Sequence, residues 1–321
     1  MSVVRLYPEL KDHIWGGTRL RAQFGKHTDL DKVSESWELA CRSDGNCRTE
    51  NGSTLWEHIQ IKGRQVLGTD CENCKDFPIL IKLIDAEDDL SVQVHPDDEY
   101  AAAHAGQGKT EMWYVIDCKP DSSIVIGFKE NTDKQHFEQA IKNNTVMQIV
   151  NKVKVSRGDV FFVPPGTLHA IGKGVLVAEI QQNSNTTYRV YDYGRLGKDG
   201  KPRELHIQNA LDVTKTVPWT PAPRYEAVKC GGYEYTVLVR CEFFTAVKFD
   251  VADSVSICID QRSFAHLLML DGSARIQDHN ANKGESFFID AASGTIRIDG
   301  RCSFILTRCG CEERTDTLVK E

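Results

Sequence analysis

Residues 157–172 read RGDVFFVPPGTLHAIG. A charged, glycine-punctuated turn leads into Val160 to Val163, and a Pro-Pro-Gly turn interrupts the run before His169. Valine and phenylalanine suit the pleated, half-buried surface of a strand, and proline cannot supply the N–H that a continuing ladder needs. The stretch therefore predicts a short strand, a tight turn and a histidine at the end of the next element, a unit of a β-barrel.

The same two-residue alternation fills SSIVIGF, VLVAEI, EYTVLVR, FFTAVKFD, FAHLLML, ESFFID, TIRIDG and SFILTR, each bounded by Gly, Asp or Asn. The chain is predicted to be mainly β. Helical spacing is confined to STLWEHIQIKGRQVLG after a Ser53 or Thr54 cap, PDDEYAAAHAG, and DKQHFEQAIKNN, where Phe137 and Ile141 are four apart. These helices are expected at the periphery. At 321 residues two domains are the natural division, and VPWTPAPRYEAVKCGG, with three prolines and no periodicity, is the predicted boundary. It separates residues 1–215 from residues 226–321. RGDVFFVPPGTLH also matches KGESFFIDAASGT, from Lys283, without a gap. His169 then falls opposite Thr295, so chemistry is expected in the first domain.

Gln93 and His95 stand two apart in SVQVHPDD, and on a strand both side chains leave the same face. With Glu111 of GKTEMWYVID and His169 they offer two imidazoles, a carboxylate and an amide oxygen, a set that suits zinc or another divalent first-row ion. A hydrogen-bonded polar cluster inside a barrel is the other reading of the same spacing.

The net charge of −7 and pI near 5.8 give no footprint for nucleic acid or an anionic membrane, which points to a small-molecule partner. No apolar run reaches membrane-spanning length and the start lacks a signal-peptide pattern, so a cytoplasmic protein is expected. Eleven cysteines, an odd number, are read as free surface thiols. Cys71 and Cys74 form one C-x-x-C; Cys309 and Cys311 would have to complete a zinc site from far along the chain, with the wrong spacing for a knuckle.

The run G-D-x-F-F-V-P-x-G-x-x-H resembles the second motif of the cupins, which are jelly-roll, double-stranded β-helix barrels. IWGGTRL, SESWELA, FPILIKLIDAEDDLSVQVHPDD, GKTEMWYVID, PPGTLHAIGKG and QQNSNTTYRVYDYGR follow in the order of type I mannose-6-phosphate isomerases, particularly the short bacterial form. The resemblance spans residues 10–210, and the remainder is similar only loosely. It implies two cupin-like jelly-roll barrels with peripheral helices, the second without metal ligands. It also implies one zinc ion per chain on Gln93, His95, Glu111 and His169, the four residues that spacing picks out.

The implied reaction is the interconversion of mannose 6-phosphate and fructose 6-phosphate through an enediolate. The resemblance places the active-site arginine at Arg189, with Arg195 as a second cation. Ser91, Lys82 and Lys109 lie in the matching blocks as candidates for phosphate binding or proton handling, and Glu179 in VLVAEIQQ is the candidate base. The implied partner is a sugar phosphate, handled by a monomer or weak homodimer. A different metal-dependent cupin enzyme, such as an oxygenase, and a non-catalytic sugar-binding protein are the competing readings.

Overall fold

The computed structural model describes residues 3–104 and 106–310. Strands Glu35–Leu39, Ile79–Asp85, Val175–Gln182, Glu111–Cys118 and Val160–Val163 lie side by side in that order, all antiparallel. A second sheet runs in the order Val150–Lys154, Ser123–Phe128, His169–Ile171, Val92–Val94, Tyr188–Tyr191. Ile84, Val115, Phe161 and Val177 of the first sheet meet Ile124, Ile126 and Ile171 of the second in one apolar cluster. Strict alternation sends Leu176, Ala178 and Ile180 to the opposite face, which is also buried. That is why VLVAEI is a nearly unbroken apolar run.

The second half repeats the arrangement. Tyr233–Arg240, Phe244–Val251, Cys302–Cys309, Ala265–Ile276 and Ser286–Ile289 occur in the order of the first set, and Ser254–Ile259 pairs with Gly294–Asp299 as Val92–Val94 pairs with His169–Ile171. The chain is therefore mainly β and duplicated, as the gapless sequence match predicts. Register extends the match: Val163 opposes Glu111 where Ile289 opposes Ala265, and His169 opposes Gln93 where Thr295 opposes Cys258. The positions of Gln93, Glu111 and His169 thus carry Cys258, Ala265 and Thr295 in the second half.

The predicted helices are present and peripheral. Leu55–Lys62 starts on a capping box between Thr54 and Glu57 and stops at Gly63, so the sixteen-residue pattern becomes a helix followed by the short 3-10 turn Arg64–Leu67. Lys134–Lys142, capped by Asp133, buries Phe137 and Ile141 against the second sheet with Ala210 and Leu211 of helix Ile207–Val213. No helix or strand lies between Val213 and Val228, where the prolines cluster. Among the described residues no helix is long and apolar enough to cross a membrane.

The halves share a core: Leu39, Leu83, Met112, Ala178 and Ile180 pack in one cluster with Leu238, Phe244, Leu268, Phe288 and Ile305. The N-terminal strand Val3–Tyr7 pairs with Ser286–Ile289 of the second half. The surface-thiol expectation fails here, because Cys71 and Cys309 are buried at this junction, while Cys311 lies outside the described residues. Folding through the shared core brings together cysteines that are remote in sequence.

Phe288, fully buried, stacks on Phe264 at 5.1 Å between ring centroids and lies 6.4 Å from Phe77 of the other half. Phe288→Ala should destabilise the protein by about 3–5 kcal/mol, read as a shift of the denaturant midpoint.

Candidate metal centre and adjoining cavity

Strand period two and strand pairing build the site. Trp37, Lys82, Glu179 and Trp113 sit directly across from one another on four neighbouring strands, so their side chains form a row on one face. The sheet opposite brings His169 beside Gln93, with His95 just past the same short strand. The Pro-Pro-Gly turn sets His169: Gly166 has φ +82°, a Cβ there would lie 2.7 Å from the Val213 carbonyl oxygen, and its N–H donates to the His95 carbonyl at 2.9 Å. One glycine therefore ties both histidine segments together.

His95, Glu111 and His169 are buried and offer ligand atoms within 4.8 Å of one another. Nδ1 of His95 lies 2.8 Å from the Thr186 carbonyl, and Nδ1 of His169 lies 2.8 Å from the Thr167 carbonyl. A carbonyl only accepts, so each Nδ1 carries its proton and each Nε2 of the neutral ring carries a lone pair. Both Nε2 atoms face Glu111, at 3.4 Å and 3.3 Å, and neither they nor the two Glu111 oxygens make a hydrogen bond. Burial pushes His95 down to about 3, helped by the charge of Lys109, and burial also lowers His169. Burial would raise Glu111, but the charges facing it, Lys109 first, outweigh it and hold the carboxyl well below its ordinary value.

Lone pairs therefore point at a carboxylate with no side-chain proton between them. A cation answers that arrangement, and the carbonyl-anchored imidazole is the usual support of a metal ligand. Two imidazoles and a carboxylate fit zinc or a similar divalent ion.

A cavity of about 540 Å³ adjoins the group, lined by Gln93, Lys109, Trp113, Glu179, Lys82, Ser91 and Arg189 among others. Lys109 Nζ lies 2.9 Å from Glu111 Oε2. Glu179 Oε1 accepts from Trp113 Nε1 at 3.0 Å, and its Oε2 lies 3.5 Å from Lys82 Nζ without a hydrogen bond. Burial and the negative charge of Glu111 raise the Glu179 pKa despite Lys109 and Lys82. Arg189 donates from Nε to Ser91 Oγ at 3.1 Å and from Nη1 to the Glu204 carbonyl at 2.9 Å.

Nine of the ten residues expected from sequence either line this cavity or form the buried group beside it; Arg195 does neither. It turns onto Asp192 at 2.7 Å and stacks its guanidinium over Tyr193. Arg203 lines the cavity instead, held by Asp192 through two hydrogen bonds of 2.7 and 2.6 Å. Lys11, His13, Trp15, Glu35 and Trp37 also line it without having been singled out. Glu35 and Trp37 had a readable signal, alternation in SESWEL; Arg203 stands in the irregular segment GKPREL and had none.

Residues 3–138 match the family model described as phosphomannose isomerase type I, catalytic domain, and residues 234–309 match the mannose-6-phosphate isomerase cupin domain. The chain is 39% identical to a probable mannose-6-phosphate isomerase, GmuF, of Bacillus subtilis, over 94% of this chain and 98% of that protein. The chain belongs to the type I phosphomannose isomerase family. As a member it is an enzyme of the isomerase class, built on the cupin fold. It is also 36% identical to the mannose-6-phosphate isomerase ManA of Bacillus subtilis, over 94% of this chain and 96% of that protein. The crystal structure of the Bacillus subtilis mannose 6-phosphate isomerase superposes with a TM-score of 0.88 at 34% identity, covering 96% of this chain and 99% of that one.

Two predictions follow from the buried group. His169→Ala should reduce the metal bound by purified protein, measured by elemental analysis, because a glutamate and one imidazole are too few donors. In metal-free protein both imidazoles stay neutral below the ordinary value of 6.5 while the unfolded chain takes up protons. Their contribution is thus fully present above about pH 6.5 and declines below it, so the metal-free Tm should be lower at pH 5 than at pH 8.

Proposed function

We propose that the cavity interconverts mannose 6-phosphate and fructose 6-phosphate, with one zinc ion held by His95, Glu111 and His169 and joined by Gln93. The observation that carries the reading is the set of buried, opposed lone pairs beside a cation-lined cavity, in a chain of this family. When bound, zinc supplies Lewis acidity that polarises the sugar carbonyl and eases loss of the neighbouring C–H proton.

The chain's own residues do the rest. Aldose-to-ketose conversion removes a proton at C2 and returns one at C1, through an enediolate with charge on O1 and O2. Glu179 is the proposed base. Trp113 fixes one of its oxygens, the other is free of hydrogen bonds, and the raised pKa makes it a stronger base than an exposed carboxylate while Lys82 favours its ionised form. Lys109, beside Glu111, is the ammonium available to the substrate oxygens.

Arg189 is proposed to hold the enediolate or phosphate oxygens. Ser91 and the Glu204 carbonyl fix its Nε and Nη1, and its Nη2 makes no hydrogen bond among the described residues. Arg203 is the second cation, and Arg195 supports it through the shared Asp192. Trp15, Trp37 and Trp113 supply apolar wall that limits water around the reacting carbons. In the same reading residues 1–215 carry the chemistry, residues 226–321 act as scaffold, and the enzyme works in the cytoplasm as a monomer or weak homodimer.

A coupled assay of purified protein with mannose 6-phosphate, before and after EDTA and after zinc is restored, tests this. Fructose 6-phosphate formation that is lost and regained is the expected result; sugar phosphate binding without turnover would point to a binding protein. Arg189→Lys should retain metal yet lose turnover by about 10²-fold or more, because the charge stays while the planar fork goes. Unaltered kinetics would reduce Arg189 to a scaffold residue.

A further inference from the structure

We propose that Cys71, Cys74 and Cys309 form a second metal site, a structural centre for zinc that pins the segment before strand Ile79–Asp85 to the last strand of the second half. The three sulfurs lie within 4.8 Å of one another, and all ten described cysteines are free thiols. Thiolates around zinc, at about 2.3 Å from the ion, sit about 3.8 Å apart in a tetrahedron, within the observed limit.

The backbone is arranged for such a cluster. The Cys74 N–H donates to the Cys71 carbonyl at 3.1 Å, a turn that brings both C-x-x-C sulfurs to one side. Cys309 ends its strand with its N–H on Ser263 Oγ at 2.9 Å. Arg64 donates to the carbonyls of Cys74 and Lys75, so a guanidinium stands beside the negative charge that three thiolates would bring. The surrounding segments are already joined: Thr69 N–H reaches the Gln261 carbonyl at 3.0 Å and Asp70 N–H reaches the Arg262 carbonyl at 2.8 Å. Gly68, at φ +87°, permits this contact, since a Cβ there would meet the Arg262 carbonyl oxygen at 2.4 Å.

None of the three cysteines lines the sugar cavity. The centre is therefore structural, and its soft donors select zinc over magnesium or calcium. Three thiolates leave one position of a tetrahedral ion for a further ligand. Binding displaces the thiol protons to solvent and needs no redox partner.

Cobalt(II) added to full-length, reduced, metal-free protein tests the proposal. A thiolate-to-cobalt charge-transfer band in the near ultraviolet should appear, persist in His169→Ala, and disappear in both Cys74→Ser and Cys309→Ser. Zinc-loaded wild-type protein should also hold one more ion per chain than either cysteine variant, with isomerase turnover of the variants retained and their Tm lowered. Absence of the band in wild-type protein, or equal metal content in wild type and both variants, would overturn it.

Discussion

Two imidazole nitrogens and a carboxylate, all buried, face one another across 3.3 to 3.4 Å with no proton to share. Left alone this is a costly arrangement, because desolvated lone pairs repel and only Glu111 Oε2, 2.9 Å from Lys109 Nζ, has a charged partner in place of water. The protein maintains it by spending other groups on its geometry. The Thr186 and Thr167 carbonyls fix the two rings, Gly166 ties the turn to His95, and Lys109 holds the carboxylate ionised against its burial. A cation bound between them would offset that cost, and the cavity adjoins the same point.

The duplicated scaffold makes the contrast visible. Equivalent strands pair in the same order in both halves, yet Cys258, Ala265 and Thr295 occupy the positions of Gln93, Glu111 and His169. The interior of the second half is filled with side chains such as Phe249, Phe287 and Phe304. Its other face packs against the first sheet of the first half, where Phe288, Leu268 and Ile305 join Met112 and Ala178. Met112 and Ala178 belong to the strands that present Glu111, Trp113 and Glu179 on their other side. A packing defect in the second half therefore has a direct route to the site, through alternation within single strands.

Much of this was legible in the sequence because it rests on short-range regularities. Period-two alternation located the strands, the Pro-Pro-Gly turn located His169, and the Q-x-H spacing put two candidate ligands on one face. The gapless match between residues 157–169 and 283–295 predicted the duplication and set Thr295 at the position of His169. What escaped was set by long-range pairing. Arg203 and Arg195 exchange places because Asp192 receives both, which no spacing reveals. The cysteine cluster joins residues 71 and 74 to residue 309 only because the two halves share a core, and the N-terminal strand enters the second sheet for the same reason.

If the opposed lone pairs are metal ligands, an ion must sit between them in the loaded protein. Anomalous diffraction at the zinc edge from crystals of zinc-loaded protein addresses it directly. The expected result is a peak bonded to Nε2 of His95, Nε2 of His169 and a carboxylate oxygen of Glu111, at about 2.0–2.2 Å from each. A zinc-loaded crystal with no peak there, and with Glu111 satisfied by Lys109 and water alone, would contradict it.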